Sequence, residues 1–530
     1  MQRAIFFVVL LALGLCSAIA NAKTLTFCSE GNPDHLSPIF NTNSTSFDVT
    51  GQIYDNLVTF HPASTELEPA LATRWTVSSD GLEYVFSLRR GVKWQSNAWF
   101  TPTRDFTADD VLFTFERQWK PEHPFYKVTG SYHPYFNDMG MSDILKSVEK
   151  VDDYTVKFKL HQSVTPFVAN LAMRWAGIQS AEYAAMMLKV GTPERVDTAP
   201  LGTGPFQFQS FQKDRQVVFD AFDGHWAGRA KLDQLIFSIQ PDAADRWTKL
   251  KNGECHIMAY PRPADLPHIR ANANIVLKTQ TGLNISYLAY NLRKKPFDDI
   301  RVRRALTMAI DRRKILRLAY QHTAVPATNP IPPIQWAYNR HVDDDVFDPE
   351  AAQRLLAEAG YPHGFKTELW VMSVQRAYFP DPLAVAKLIQ RDLAEIGVKV
   401  TLKSPDWQDY RRGMQAGDHE MGLLGWTGDN GDPDNFLNTL LGCSSLDGSN
   451  VAKFCDPRYD VLVKKARAVT NRDERVRLYE QAQVIFKEQT PWMTLAHTIQ
   501  YKAMRREVLG FEVSPLGRHT FWGVDLLPSP

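Results

Sequence analysis

Helix-period and strand-period segments alternate along most of the 530 residues, which restricts the chain to helices packed on the faces of sheets, an α/β architecture. The pattern is clearest near residue 390. From Leu383 the apolar positions Leu388, Leu393 and Ile396 recur at helical spacing among good helix formers. Gly397 then ends the helix, since a residue without Cβ enters the left-handed region at no steric cost, and 398–402 reads as a strand. A second helix opens at Asn471, a cap for Glu474 three residues on, carries Val476, Leu478, Ala482 and Ile485, and ends before Pro491. A third, 298–316, turns Ile300, Ala305, Met308, Ile310 and Ile315 inward and leaves Arg301, Arg303, Arg304, Arg312 and Arg313 on a solvated face.

The first 22 residues have the layout of an export signal: Arg3, the apolar run 5–15, then Ala20-Asn21-Ala22 with small residues where a signal peptidase reads. That run is shorter than the roughly 20 apolar residues a membrane span needs, and no later stretch is long enough either. The mature chain is expected to begin at Lys23, without lipid on Cys16, because Leu15 is bulkier than the residue that precedes a lipidated cysteine. What remains exceeds what one core supports, so two or three lobes are expected. No low-complexity linker or internal repeat separates them, which favours short crossovers and a hinge. Turn-rich boundaries fall at 200–205 and 281–282. Lys and Arg number 60 against 59 Asp and Glu, and losing Arg3 balances them. Nucleic acid and anionic membrane are therefore poor partners.

Discarding Cys16 leaves Cys28, Cys255, Cys443 and Cys455, an even set in a chain bound for an oxidising space. Three pairings are possible. Cys443 and Cys455 flank a short polar segment and form the natural local loop, worth about 3 kcal/mol in unfolded-chain entropy. Cys28 then pairs with Cys255, bringing the start of the chain to its middle.

Phosphate loops, dinucleotide fingerprints, GxSxG elbows and HExxH pairs are all missing from the sequence. No catalytic residue, cofactor or metal is expected. His123 and His133 read as surface histidines. The acidic clusters Asp343-Asp344-Asp345 and Asp429, Asp432, Asp434 raise calcium as a candidate, but the second does not have its glycine and terminal glutamate at the positions a calcium loop requires.

Three stretches carry a resemblance. The first is Leu67-Glu68-Pro69-Ala70-Leu71-Ala72 with Trp75, followed by 86–94 (FSLRRGVKW) and Thr107-Ala108-Asp109-Asp110-Val111. The second is Gly202-Thr203-Gly204-Pro205-Phe206, and the third is 425–436 (GWTGDNGDPDNF). Together they resemble the peptide-binding proteins of ABC importers, the dipeptide- and oligopeptide-binding family, over the whole chain from about Lys23. Gln95-Ser96-Asn97 departs from the family's short turn, and the loop 99–103 is lengthened.

The resemblance implies a two-lobed periplasmic-binding-protein clamshell with an additional accessory domain. Lobe I would comprise 23–56, 207–282 and 500–530, the accessory domain 57–206, and lobe II 283–499. The protein would be periplasmic and monomeric, capture short peptides, and deliver them to an inner-membrane ABC permease with its ATPase subunits; a chemoreceptor is a further conceivable reader. Haem, antimicrobial peptides or longer oligopeptides are alternative cargo on the same fold. A periplasmic peptide hydrolase is the alternative from another class.

Within this family Asp429 matches the carboxylate that takes a peptide α-ammonium, and Arg376 the arginine that takes the terminal carboxylate. Without the resemblance Asp429 reads as a turn cap and Arg376 as a surface arginine. A zwitterionic peptide separates its charges by roughly 3.3–3.6 Å per residue added, so two fixed counter-charges measure length. A guanidinium grips a carboxylate with two parallel donors, so Arg376→Lys is not conservative. Main-chain groups of Gly425 and Thr427 could pair with a peptide as an added strand, giving affinity independent of side chains. Trp426 reads equally as an apolar wall or as core, and Thr42 aligns with a cleft position.

Overall fold

The structure is a computed structural model and describes residues 22–528. All of the expected export signal except Ala22 lies outside the described residues.

One strand, Trp492–Arg505, organises the molecule, because it belongs to two bodies of a twelve-stranded sheet at once. Its first part runs antiparallel to Asn284–Tyr290, with Met493 opposite Leu288. Its last part runs antiparallel to Ile275–Thr281, with Ala503 opposite Leu277. The chain therefore passes between bodies at Gly282 and Leu283, beside the point where the long strand does the same. A Cβ on Gly282 would stand 2.7 Å from Thr498 O, so only glycine fits. Asn284 completes the crossing: its Nδ2 donates to Thr498 O at 3.2 Å and its Oδ1 accepts from Thr498 N at 2.8 Å. Two adjacent crossovers of this kind form a hinge.

In the first lobe Thr24–Ser29 lies parallel to Gln234–Ile239. Leu25 and Phe27 enter one core with Leu235, Phe237 and Phe521. Cys28 is bonded to Cys255, with Cα atoms 5.8 Å apart. The second lobe stacks Lys399–Lys403, Lys366–Trp370, Met421–Thr427 and Asn284–Tyr290 side by side. Every residue of the last strand is buried. Cys443 is bonded to Cys455, Cα to Cα 4.8 Å. Inserted after the first lobe's opening elements is a four-stranded antiparallel sheet ordered Ala72–Val77, Glu83–Leu88, Thr155–Leu160, Leu145–Asp152. The helix Ala108–Trp119, with a Thr107–Asp110 capping box, packs on it. Gln95, in the departing turn, is buried and donates to Gly204 O and Phe206 O, both at 2.9 Å, so the altered turn is anchored to the second family motif.

Two of the three expected helices form at the expected places. Pro382–Ala394 starts where Asp381 accepts from Ala384 N at 2.9 Å, and Gly397 adopts φ +81° before the strand Lys399–Lys403. Arg472–Gln489 starts where Asn471 accepts from Glu474 N at 2.9 Å. The third is broken into Ile300–Ala309 and Arg312–Leu318, because Asp311 caps a new start by accepting from Lys314 N at 3.0 Å.

Its arginine face also needs correction. Arg303 is 3% exposed. It donates to Thr490 O at 3.1 Å and Gln489 O at 2.6 Å, carbonyls that the helix Arg472–Gln489 leaves open at its C-terminus, and to Phe297 O at 2.8 Å. Arg312 is half-buried against Ala327 O and Asp344. Only Arg301, Arg304 and Arg313 are exposed as expected. His133, expected at the surface, is buried against the rings of Phe40 and Tyr126, and burial lowers its pKa to about 4.

Candidate functional site

Asp429 follows the strand Met421–Thr427 and begins a turn braced on all sides. Asn430 Nδ2 donates to Asn170 at 2.6 Å. Gly431, at φ +71°, lies so close to Thr65 that a Cβ would come within 2.3 Å of it. Asp432 receives both terminal nitrogens of Arg475 at 2.9 and 2.7 Å. These contacts hold Asp429 against the inserted region, half-buried, with a hydrogen bond from Tyr135 Oη to Oδ1 (3.1 Å) and one from Asn435 Nδ2 to Oδ2 (3.3 Å). Asn435 Oδ1 in turn accepts from Asp429 N at 3.0 Å and from Trp426 Nε1 at 2.8 Å. Loss of water pushes the Asp429 carboxyl up to about 6, against the opposing pull of Asn435, Tyr135 and Arg518.

The strand leading to Asp429 has one edge taken and the other partly open. Along Asn284–Tyr290 the register pairs Asn284 with Thr427 and Ser286 with Gly425, and Gly428 N donates to Leu283 O at 2.7 Å. Antiparallel ladders bond every second pair, so Trp426 points its main-chain groups at that neighbour while Gly425 and Thr427 point theirs away. On the far side Lys366–Trp370 pairs only with Met421 and Gly422. Tyr410 Oη then takes the carbonyl of Leu423. Beyond it no strand pairs with Gly425 or Thr427 on this side, Gly425 being buried and Thr427 half-buried.

Arg376 stands over this same edge. It opens a tight turn in which Arg376 and Phe379 exchange main-chain bonds of 3.1 and 2.9 Å. Tyr378, in that turn, lies on Gly425: a Cβ there would be 2.3 Å from the ring and 2.4 Å from Ile285 O. The Arg376 guanidinium is exposed and lies 4.4 Å above the Trp407 ring, which positions a planar cation without neutralising it. Trp426 is half-buried against the second lobe's core with its indole nitrogen tied to Asn435. Thr42 is exposed just ahead of Asn43, the cap of the helix Ser44–Ile53. Phe47 of that helix lies 5.4 Å from Tyr135, ring to ring.

Sequence reading missed Tyr135, Asn435 as a brace, and Arg518, which donates to Asp429 O at 3.1 Å. Tyr135 and Arg518 are 294 and 89 positions from Asp429, and no local pattern announces contacts at such range. Among the described residues no group of three or more side chains is placed to hold a metal. Asp344 pairs with Arg312 and Asp345 with Lys487. The arrangement holds a half-buried carboxylate just after the strand Met421–Thr427 and an exposed guanidinium in the turn that packs on that strand.

Two lobes joined by paired strand crossings, with a third region inserted, have the architecture of a solute-binding protein of the clamshell type. Residues 66–448 match the family described as bacterial extracellular solute-binding proteins, family 5 Middle. The chain is 45% identical to the dipeptide-binding protein of Escherichia coli K12, covering 96% of each chain. It is 44% identical to heme-binding protein A of Haemophilus influenzae, covering 95% of this chain and 92% of that one. The crystal structure of a dipeptide-binding protein from Pseudoalteromonas sp. SM9913 in complex with Met-Leu superposes with a TM-score of 0.86 at 35% identity, covering 95% of this chain and 100% of the other. This chain belongs to family 5 of the bacterial extracellular solute-binding proteins.

Proposed function

We propose that the protein captures short peptides, dipeptides foremost, in the periplasm and delivers them to an inner-membrane ABC permease and its ATPase subunits. The observation that carries this reading is a pair of unlike charges flanking one strand: Asp429 follows Met421–Thr427, and Arg376 opens the turn whose Tyr378 lies on Gly425. Asp429, braced by Tyr135 and Asn435, keeps its charge for a cation from outside, and Arg376, stacked on Trp407, keeps its donors for an anion. In this reading Asp429 takes the α-ammonium and Arg376 the terminal carboxylate. Gly425 and Thr427 pair with the peptide backbone, Trp426 walls one side chain, and the Thr42 hydroxyl borders the cleft. Broad side-chain tolerance follows, because the bonds go to groups every dipeptide has.

The lobes run 23–56 with 207–282 and 500–530, then 283–499, with 57–206 as the accessory domain. The chain is exported with cleavage after Ala22, acts as a monomer and leaves its cargo intact; a chemoreceptor that reads the closed form is a further partner. Support for the peptide cargo comes from the likeness to proteins described as dipeptide-binding. Calorimetry with free, N-acetylated and C-amidated dipeptides tests the reading. The blocked forms are expected to bind far more weakly, and equal binding by all three rules it out. A second cargo, haem, is favoured by the likeness to heme-binding protein A. It predicts a Soret shift when haem is added, and competition by dipeptide.

A further inference from the structure

Arg518 reaches from the C-terminal segment of the first lobe toward the ammonium site of the second. Its segment is fastened to the first lobe: the Phe521 ring lies 5.4 Å from Phe27 and 5.5 Å from Phe237, and His519 N donates to Asp48 at 3.0 Å. From that root Nη2 donates to the main-chain carbonyl of Asp429 at 3.1 Å, and Nη1 to Ala172 O in the inserted region at 3.2 Å. The guanidinium carbon sits 4.7 Å over the Phe60 ring. One side chain therefore spans all three regions.

The charges around it are few and buried. Burial and the neighbouring Arg174 lower the Arg518 pKa to about 9 against the pull of Asp429, Tyr135 and Asp48, so it remains a cation at neutral pH. Arg174 is itself met by Asp48 at 3.4 Å. Opening about the crossover at Gly282 moves Asp429 away from the root of Arg518. The fork then gives up one of its two carbonyls, and water must replace that charge-assisted bond.

We propose that Arg518 is a positioning residue that latches the closed cleft, holding the main chain of Asp429 to the first lobe and the inserted region so that bound peptide escapes slowly. The ligand in this inference rests on the peptide-binding reading above, but the grip is on the Asp429 carbonyl and not on its carboxylate. Two predictions therefore separate the ideas.

Release of alanyl-phenylalanine, followed by stopped-flow tryptophan fluorescence, is expected to be about tenfold faster in Arg518→Gln, with association changed by less than about twofold. Arg518→Lys is expected to fall between, since an ammonium keeps charge without the two-pronged geometry. A merely structural role would lower melting temperature without this split between release and association. If Arg518→Gln does not fold, Arg518→Lys decides by the same criterion, and release at the wild-type rate from the folded variant overturns the latch. In an Asp429→Asn background the carbonyl persists, so Arg518→Lys should still speed release. Wild-type affinity in Asp429→Asn alone would instead overturn the ammonium role while leaving the latch standing. Wild-type protein that binds no dipeptide overturns the reading on which both rest.

Discussion

Asp429 must stay charged where burial disfavours charge, and its surroundings show how. Tyr135 and Asn435 each donate to one carboxylate oxygen, and a carboxylate has further lone pairs beyond those two bonds. Asp429→Asn keeps that shape and removes the charge, so dipeptide affinity should fall by about 3 kcal/mol, roughly a hundredfold, in calorimetry. The pH dependence has a definite sign. With the empty-site carboxyl at about 6, affinity should be flat above pH 7 and fall as pH drops through 6, because the incoming ammonium must then displace a proton. The unliganded fold behaves oppositely. Its carboxyl holds a proton to higher pH than the unfolded chain's, near 3.9, so this group adds stability as pH falls from 6 toward 4. Asp429 and Arg376 could be picked from the sequence only through the family motifs. Their supports could not, since a hydroxyl at Tyr135 and a guanidinium at Arg518 reach Asp429 from distant parts of the chain.

At the level of elements, the strand Met421–Thr427 matters for the edge it leaves open. Gly425 sits between the Tyr378 ring and Ile285 O, both nearer than a Cβ can tolerate. Gly425→Val should therefore push the Arg376 turn outward and abolish measurable dipeptide binding, while circular dichroism still reports a folded chain. Binding within threefold of wild type would show that the edge is not where peptide lies. Local pattern revealed helices whose signals are short-range: Asn471 ahead of Glu474, or Gly397 ahead of a β-branched run. It failed at Arg303 and His133, because residue type alone does not show that helix-end carbonyls or aromatic rings wait on the other side. The break at Asp311 was hidden by apolar spacing that carries across it.

For the whole molecule, the lobes are joined at the crossings by Gly282 and Thr498, and the Cys28–Cys255 bridge lies within the first lobe. That bridge closes a span of 227 residues, so replacing both cysteines with serine should cost about 2–5 kcal/mol in denaturant unfolding. An unchanged midpoint would mean that the bridge carries no stability. The α/β alternation and the even cysteine count made this architecture legible; the shared strand Trp492–Arg505 was not, because a strand that serves two bodies reads like any other apolar run. The most direct test of the account is a crystal structure of the protein with a dipeptide bound. It should place the ligand ammonium within hydrogen-bonding distance of Asp429, its carboxylate on Arg376 and its backbone along Gly425 and Thr427. A ligand whose termini face elsewhere would contradict it.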